Sequence, residues 1–557
     1  MLHLRISELL INFAPDNSAN TVYIMRKPII WIAALLCAAC GIATGRAENE
    51  SCTSIMVGKG ASADGSVMTS HTCDSWYRTW MAPTTPGDFP RDTVTSIYDG
   101  LLHTEYPGSL EGVKEKGRIP QAPHTFRYLN TAYPCLNERQ LAMGETTYTG
   151  RDTLINPEGM FKIEELQRVA LERCTTAREA IRLMGDLIKK YGYADSGECL
   201  TIADPKEVWI FEVQGEGKKK KGGVWAAVRI PDDHVAVSAN VSRIGRLDLD
   251  DKDNYMASDN VKDVARKLGL WDGKEEFSFW KAYSGVNYLN EPKNYSVREL
   301  YIMQQLAPEA GFTDTLVELP LSVKPSKKVS VADVSRLLGS YYEGTPLDLS
   351  GRLKVKNKKK KPEDGPEVPD SVVSPVANPW MRPDEIAVYE ALGDSAMRNI
   401  RTVSVSWCAY STVIQCRDWL PDGVGGVAWV ALDNPGQSPR FPIFAGTTEV
   451  PDMLRVCGQH RTRDDSALWH FRMPNRLATV RWGDERKSLE PARDHFLEKG
   501  ARELPMIETA YRELLDAGKE EEATSLLNDY TRDFFGAAIH RWDELGARYW
   551  HKRWTGF

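Results

Sequence analysis

The sequence lacks the excess of positive charge that a nucleic-acid-binding surface needs. Its 557 residues contain 70 Lys and Arg against 77 Asp and Glu, which gives a formal net charge of −7. We therefore expect no nucleic-acid partner. Hydrophobic residues make up 42% of the chain and charged residues 26%, the balance of a globular protein. This composition excludes a disordered chain, a collagen and a coiled coil.

Long apolar runs are also missing, except for a short one near the start. Met25, Arg26 and Lys27 precede an apolar stretch over residues 29–40. A basic start followed by a short apolar run is typical of a secretory signal peptide, and the run is short for a transmembrane helix. Small residues before and at Ala47 predict cleavage after that residue.

This prediction divides the first part of the chain into three segments. Residues 1–24 precede a complete signal and are interpreted as a start-site overcall, residues 25–47 as the signal peptide and residues 48–51 as a short propeptide. The mature chain has no second apolar span of roughly 18 residues or more, so no transmembrane helix is expected. We expect an exported protein, periplasmic or extracellular, and membrane-tethered if Cys40 is lipidated.

Several catalytic and cofactor motifs are absent. The mature part contains eight cysteines but no CxxC pair, which argues against a zinc ribbon and against a disulfide scaffold. One or two disulfide bonds are possible in an exported protein, but the sequence does not show which cysteines would pair. No HExxH, GxSxG, Walker A or GxGxxG motif is present. We therefore expect no metal and no cofactor.

Strand and helix patterns alternate along the mature chain in mixed order. Strands are predicted at 52–57, 67–70, 208–213, 224–230, 235–239, 402–407, 411–415 and 427–432, with a hairpin turn at Asp64-Gly65. Helices are predicted over 162–191 in two pieces, from 296 to 306 and over 330–339. Thr176 with Glu179, and Ser296 with Glu299, form predicted capping boxes. The mixture predicts an α+β fold.

Two segments stand apart from this pattern. Residues 354–375 carry a run of Lys followed by Pro, Glu, Asp and Gly, which predicts a mobile insertion loop. Residues 479–557 are helix-rich and charged. We therefore assign 52–478 to a catalytic domain with that insertion, and 479–557 to a helical C-terminal region.

Cys52 is the candidate nucleophile because of its position. If the signal peptide is removed after Ala47, only four residues precede Cys52. Their removal would make Cys52 N-terminal, with an α-amine of pKa near 7.7–8.0 that can accept the thiol proton. The thiolate then attacks a carbonyl carbon. A buried structural cysteine is the simpler alternative from position alone.

The residues around Cys52 resemble the opening of a known family. Five segments in order are similar to the bacterial dipeptidase family of cysteine N-terminal-nucleophile (Ntn) hydrolases, related to penicillin V acylase and bile salt hydrolase. They lie at 52–66, at 136–145, at 207–212 together with 224–234, at 238–245 and at 342–348.

The resemblance implies a fold and an activity. It implies the four-layer αββα sandwich of Ntn hydrolases, here followed by the helix-rich C-terminal extension. It also implies self-removal of the residues before Cys52 and hydrolysis of dipeptides or short peptides without metal or cofactor.

The resemblance also implies the other site residues. Related acylases carry an Arg-x-x-Asp pair just after the first hairpin, where this chain has His71 and Asp74. Asp74 is expected to anchor the nucleophile's amine and thiol, while the role of His71 stays open. A solvated loop carboxylate is the simpler interpretation of Asp74.

Three further residues are candidates at the site. Asn137 and Asn240 are expected to donate to the oxyanion, against the alternative of turn-forming asparagines. Arg298 is a candidate because an Arg near such a segment completes the site in related acylases. A surface position is its simpler interpretation.

Two rival functions remain open. The near rival is an acylase that cleaves another amide, such as a conjugated bile acid or an N-acyl amine. The distant rival is an exported binding protein whose site is blunted, and the His71 departure is its only support. The sequence leaves a homo-oligomer open.

Overall fold

The computed structural model describes residues 51–148, 150–218, 220–357, 369–391 and 400–554. The predicted signal peptide and nearly all of the propeptide lie outside these residues. The described chain combines strands and helices in mixed order, which confirms the α+β class. Two large antiparallel sheets dominate it, and strands are numbered here along the chain.

The first sheet has seven strands and contains Cys52. In spatial order it consists of β16 (Ser322–Val323), β14 (Val235–Ser238), β1 (Ser51–Val57), β2 (Val67–Asp74), β19 (Tyr410–Cys416), β20 (Val427–Leu432) and β21 (Phe441–Phe444). β1 and β2 form the predicted hairpin, with Gly65 in the turn at a φ of 83°. Every residue of β2 is buried, so the strand is covered on both faces.

The second sheet has eight strands. In spatial order it consists of β15 (Tyr255–Ala257), β13 (Val224–Ile230), β12 (Val208–Gln214), β11 (Gly197–Ala203), β10 (Ala142–Tyr148), β9 (Leu136–Asn137), β8 (Tyr128–Asn130) and β3 (Ala82–Pro83). The strands β10 and β11 pack against β1 and β2, so the two sheets face each other. The interface is partly polar, because the Thr69 and Thr201 hydroxyls hydrogen-bond across it at 2.6 Å.

Helices pack on the sheets from outside. They are α1 (Ile163–Arg173), α2 (Ala177–Tyr191), α3 (Val261–Lys267), α4 (Phe279–Tyr283), α5 (Val297–Leu306), α6 (Val331–Leu338), α7 (Pro383–Ala391), α8 (Asp422–Gly425), α9 (Ala467–Thr479), α10 (Trp482–Asp516) and α11 (Glu520–Trp554). α1 and α2 contact strands of the second sheet, whereas α5 and α6 contact strands of the first.

Local sequence signals set several helix starts. The capping boxes predicted at Thr176 with Glu179 and at Ser296 with Glu299 are both formed, at the starts of α2 and α5. Each satisfies backbone N–H groups that a helix start leaves without partners. The strand predicted at 402–407 is wrong. Its backbone bonds to loops and side chains instead, as in the Ser404 N–H that donates to the Ser340 carbonyl.

The predicted C-terminal region does not stand apart from the first sheet. Helix α11 packs against α9, α10 and β21, and α9 also contacts β20. The buried residues Phe534 and Trp542 of α11 belong to the same hydrophobic cluster as strand residues of both sheets. Among the described residues, no helix combines the length and apolarity needed to span a bilayer.

The remaining strands form three small ribbons. They pair β4 (Gly87–Asp88) with β7 (His124–Thr125), β5 (Val94–Asp99) with β6 (Lys114–Pro120), and β17 (Lys354–Lys356) with β18 (Ser371–Val373). The last ribbon lies within the predicted insertion, residues 354–375, and half of that insertion, residues 358–368, lies outside the described residues. The eight cysteines of the mature part are all buried with free thiols.

Candidate active site

Cys52 lies in β1 between the two sheets. Side chains alternate along a strand, so Cys52 and Ser54 share the face that meets the second sheet. The Ser54 hydroxyl donates to the Glu145 carbonyl at 3.4 Å, and the Cys52 thiol lies 3.5 Å from Glu145 Oε2. Cys52 is only 4% exposed. The nucleophile candidate therefore occupies a buried, polar interface.

Asn240 and Arg298 hold the backbone of Cys52. The Cys52 N–H donates to Asn240 Oδ1 at 2.8 Å, and Arg298 Nη1 donates to the Cys52 carbonyl at 2.6 Å. Arg298 Nη2 donates to the same Asn240 oxygen at 2.8 Å. Arg298 is 1% exposed, so its interpretation as a surface residue is wrong.

The capping box of α5 positions both of these residues. Glu299 Oε2 accepts the Ser296 N–H at 2.6 Å, as a capping box requires. Its other oxygen accepts the N–H of Ala239, the neighbour of Asn240, at 2.7 Å. One buried carboxylate thus joins the start of the helix that carries Arg298 to the strand end that carries Asn240. Asn240 has a φ of 64°, a conformation that asparagine tolerates better than most residues.

The side-chain amide of Asn240 is not oriented as the expected oxyanion role requires. Its oxygen faces the Cys52 N–H, and its Nδ2 donates to the Thr147 carbonyl at 2.5 Å. An acceptor at this point fixes the direction of the Cys52 nitrogen. The contacts therefore favour Asn240 as a residue that orients the nucleophile's nitrogen.

Asp74 ends β2 directly opposite Ser51, the residue before the nucleophile. The Asp74 side chain is fully buried, so the interpretation as a solvated carboxylate is wrong. Its Oδ2 accepts from the Thr72 hydroxyl at 2.9 Å and from Arg401 Nη2 at 2.7 Å. Its Oδ1 is buried and has no hydrogen-bond partner among the described residues.

Arg401 supplies the guanidinium that the sequence lacks beside Asp74. It pairs with Asp74 and also donates to the Ser51 hydroxyl from Nε at 3.1 Å and from Nη2 at 2.9 Å. It therefore contacts both the carboxylate and the residue on the far side of the Ser51–Cys52 bond. No sequence pattern indicates this role, because Arg401 lies 327 positions after Asp74 and immediately before the segment predicted as a strand.

His71 is a neutral, buried side chain. Its Nδ1 accepts the Glu145 N–H at 3.0 Å, which assigns the proton to Nε2. Burial lowers the pKa of His71 to about 3, so the ring carries no charge at neutral pH. His71 therefore does not replace the missing arginine, and the cation beside Asp74 comes from Arg401.

Glu145 lies beside the thiol because β10 approaches the first sheet closely. A Cβ at the preceding Gly144 would come within 2.2 Å of the Ser70 carbonyl, so only glycine permits this approach. Glu145 was within a segment that resembles the family but was not singled out. A carboxylate in an otherwise uncharged strand is the signal that could have found it, because such groups are rarely buried without a role.

The electrostatics around Cys52 keep its thiol protonated. Burial raises the pKa of the Cys52 thiol, and the nearby Glu145, Cys73 and Asp74 raise it further. Burial also raises the pKa of the Glu145 carboxyl to about 7, while a hydrogen bond from Glu198 opposes that rise. Burial and the neighbouring Glu145 raise the pKa of Glu198 well above its usual range. Burial therefore favours the protonated forms of both carboxyl groups.

Asn137 lies elsewhere in the second sheet. Its Nδ2 donates to the carbonyls of Leu171 and Cys174 at the end of α1, at 2.8 and 2.9 Å. Its Oδ1 accepts the N–H groups of Arg139 and Leu141. Both N–H groups are therefore occupied by backbone, and no described contact joins Asn137 to Cys52. The oxyanion role stays a prediction, and the contacts favour a structural one.

Within the described part of the chain, two groups of side chains have donor atoms close enough to share a metal ion. Cys52, His71 and Glu145 offer atoms within 4.8 Å of one another, and so do Glu105, Cys457 and His460. The first group includes the nucleophile candidate, so a soft metal there would occupy the thiol. In the second group Glu105 already pairs with His460 at 2.8 Å, and Arg463 lies 3.3 Å from it.

Several known proteins are similar to this chain over most of its length. A probable dipeptidase of Latilactobacillus sakei is 28% identical over 443 residues, which cover 77% of this chain and 81% of the relative. A probable dipeptidase A of Streptococcus pyogenes serotype M18 is 24% identical over 505 residues, or 87% and 93% of the two chains. The dipeptidase A of Lactobacillus helveticus is 22% identical over 417 residues, or 73% and 77%.

The sequence model of peptidase family C69 matches residues 51–494, which run from the start of β1 into α10. This match covers most of the chain and both large sheets, and it confirms the resemblance drawn from the segments around Cys52. The chain therefore belongs to peptidase family C69 and is a peptide-bond hydrolase.

Proposed function

We propose that this protein is an exported dipeptidase whose nucleophile is Cys52, exposed as the N-terminal residue after the chain removes the residues before it. Three relatives are named dipeptidases or probable dipeptidases, which supports dipeptides as substrates. The predicted signal peptide supports export. The two facing sheets with outer helices support the four-layer αββα sandwich of Ntn hydrolases.

The observation that supports the mechanism is the set of hydrogen bonds to both backbone groups of Cys52, its N–H and its carbonyl. Asn240 and Arg298 bind its nitrogen and its carbonyl, and Asp74 lies opposite the residue that precedes it. Once Ser51 is removed, the Cys52 nitrogen becomes an amine. Its pKa near 7.7–8.0 suits a base that takes the thiol proton at neutral pH. The free Oδ1 of Asp74 is a suitable partner for that amine.

The reaction then follows two steps. The thiolate attacks the substrate carbonyl, and the amine, now protonated, gives its proton to the leaving nitrogen. A thioester forms, and water activated by the same amine hydrolyses it. The Glu145 carboxylate beside the thiol favours a substrate with a free, cationic amine. This feature suits a dipeptide better than an N-acyl substrate.

Mass and activity measurements test this proposal. The purified wild-type protein should begin at Cys52, and Cys52→Ala should retain Ser51 and hydrolyse no dipeptide. A panel of dipeptides and N-acyl amides, bile acid conjugates included, separates the dipeptidase from the acylase. A wild-type protein that keeps Ser51 and still cleaves dipeptides would refute the N-terminal mechanism. A protein that cleaves neither class would favour a binding protein.

A further inference from the structure

The unprocessed chain poses a chemical problem at Cys52. Before cleavage the Cys52 nitrogen belongs to an amide, whose lone pair is delocalised into the carbonyl and is not basic. The amine that serves the mature enzyme does not yet exist. Burial and nearby carboxylates keep the Cys52 thiol protonated, so it cannot attack unaided. Self-removal of the preceding residues therefore needs a second base.

The side chains around the Cys52 thiol indicate which residue can act as this base. Glu145 Oε2 accepts a hydrogen bond from Cys52 Sγ at 3.5 Å, within the range for sulfur donors, and among the described residues no other carboxylate does so. His71 is unsuitable, because its Nδ1 already accepts the Glu145 N–H. Asp74 is a poorer candidate for this base. Its Oδ2 accepts hydrogen bonds from Arg401 and Thr72, and the residue pairs with Ser51, not with Cys52.

We propose that Glu145 is the general base that matures the chain, taking the Cys52 thiol proton so that the sulfur can attack the carbonyl of Ser51. This inference rests on the proposed function, because it concerns the same nucleophile and the same self-removal. It gives the site two bases that act in succession. Glu145 serves the precursor once, and the Cys52 amine serves every later turnover.

The proposed step balances in atoms and charge. Glu145 accepts the thiol proton as a new C–S bond forms between Cys52 Sγ and the Ser51 carbonyl carbon. The Ser51–Cys52 C–N bond then breaks, and the Glu145 carboxyl returns its proton to the departing nitrogen. Water hydrolyses the resulting thioester, which leaves a carboxylate on Ser51 and a free thiol and amine on Cys52.

The backbone around Glu145 fixes its side chain for this task. The Glu145 N–H donates to His71 Nδ1 at 3.0 Å, and its carbonyl accepts from the Ser54 hydroxyl at 3.4 Å. Both partners belong to the first sheet, which carries Cys52. The Thr147 hydroxyl also donates to Glu145 Oε1 at 3.2 Å. His71 is therefore a positioning residue, which accounts for a buried histidine at the place where relatives carry arginine.

The protonation of the carboxyl pair suits a base. Hydrogen bonds from Cys52 and Thr147 lower the pKa of Glu145 and oppose the effect of burial, whereas the neighbouring Glu145 raises the pKa of Glu198 further. A general base works best when its pKa lies near the working pH. The pKa of Glu145, raised by burial to about 7, meets this condition. The maturation rate should follow the ionised fraction, rising as the pH increases through about 7 and then levelling off.

Pulse–chase maturation of the full chain tests the proposal. Cell-free translation yields the labelled precursor, which is chased at several pH values between about 5.5 and 8.5. Loss of the first 51 residues is followed on gels and by mass. Glu145→Gln keeps the size and removes the base, and maturation should slow by about 10²-fold or more. Its residual rate should lose the rise near pH 7.

Glu212→Gln is the matched control. Glu212 is an equally buried carboxyl of the second sheet whose pKa burial also raises to about 7. It bonds to Ser242 and to the N–H groups of Arg243 and Ile244, not to Cys52. Its folded fraction should mature at the wild-type rate with the wild-type pH dependence. Thermal melting of each variant measures that fraction.

The outcomes separate this inference from the function on which it rests. Wild-type maturation at a pH-independent rate, or Glu145→Gln maturing as fast as wild type, overturns Glu145 as the base and leaves the dipeptidase intact. If Glu145→Gln fails to fold, the wild-type pH profile alone decides. A wild-type chain that never loses Ser51 but cleaves dipeptides removes the proposed N-terminal mechanism together with this inference.

Discussion

Asp74→Asn probes the centre of the proposed mechanism. The substitution keeps the size of a fully buried side chain and removes its charge. The amide can still accept from Thr72 or Arg401, but the ion pair at 2.7 Å becomes a neutral contact. The mature amine also loses its proposed anionic partner at Oδ1. We expect kcat/KM to fall by about 10²-fold or more, which corresponds to about 2.7 kcal/mol of transition-state stabilisation.

The structure adds a cost in stability that the sequence did not predict. Replacing a solvent-exposed carboxylate at the end of a hairpin would not lower the stability of the fold. Here, however, Arg401 loses a charged hydrogen-bond partner. Hydrogen bonds to charged groups contribute about 1.5–3 kcal/mol, so the free energy of unfolding should fall by about that amount. The side chain of Arg401 is 15% exposed, so water can replace part of the lost hydrogen bond. We therefore expect the loss in the free energy of unfolding to lie at the lower end of this range.

The assay is steady-state hydrolysis of one dipeptide, after mass spectrometry has established that the variant begins at Cys52. Thermal melting is measured alongside. Arg401→Gln and the double variant complete a cycle. If the two residues act as a pair, the double variant should lose little more than Asp74→Asn alone. A mature, folded Asp74→Asn enzyme with near wild-type kcat/KM would refute the role of this carboxylate.

Three further predictions follow from the site. Arg298→Lys should lower kcat/KM by at least about 10-fold, because one ammonium group cannot bond to both the Cys52 carbonyl and Asn240 Oδ1. Steady-state kinetics on the mature variant, verified by mass, measure this, and an unchanged kcat/KM would contradict the prediction. Asn137→Ala should lower the melting temperature while the folded fraction keeps its kcat/KM, since three buried hydrogen bonds and one partly buried hydrogen bond, of about 1 kcal/mol each, are lost. A selective loss of kcat would instead support the predicted oxyanion role. Activity should survive EDTA and be abolished by thiol alkylation of Cys52, whereas inhibition by EDTA that zinc reverses would point to a metal at Cys52, His71 and Glu145.

Local signals predicted the parts of this protein that local chemistry determines. The hairpin at Asp64-Gly65 and the capping boxes of α2 and α5 were predictable because each depends on residues within a few positions of one another. The prediction that Cys52 is the nucleophile rests on its distance to the predicted signal peptide and on the residues that follow it. The α+β class followed from the mixed order of strand and helix patterns.

Long-range contacts were not predictable from single-sequence patterns. Arg401 reaches Asp74 across 327 positions, and the β-branched residues around it suggested a strand instead. That segment forms no strand, because its backbone is bonded to loops such as the one at Ser340. Arg298 was interpreted as exposed because isolated arginines usually are. Its burial depends on backbone carbonyls of two different strands, which no sequence spacing reveals.

The origin of Arg401 late in the chain has a consequence for the order of events during synthesis. A ribosome adding about 5–20 residues per second needs about 15 to 65 seconds to make the 327 residues that separate Asp74 from its partner. For all of that time the nascent chain contains Ser51 and Cys52 but not the guanidinium that contacts Ser51 and Asp74. Strand β19, which flanks β2, is made later still. Under the proposed self-removal, we expect cleavage to await completion of the first sheet, and a prematurely terminated chain should stay uncut.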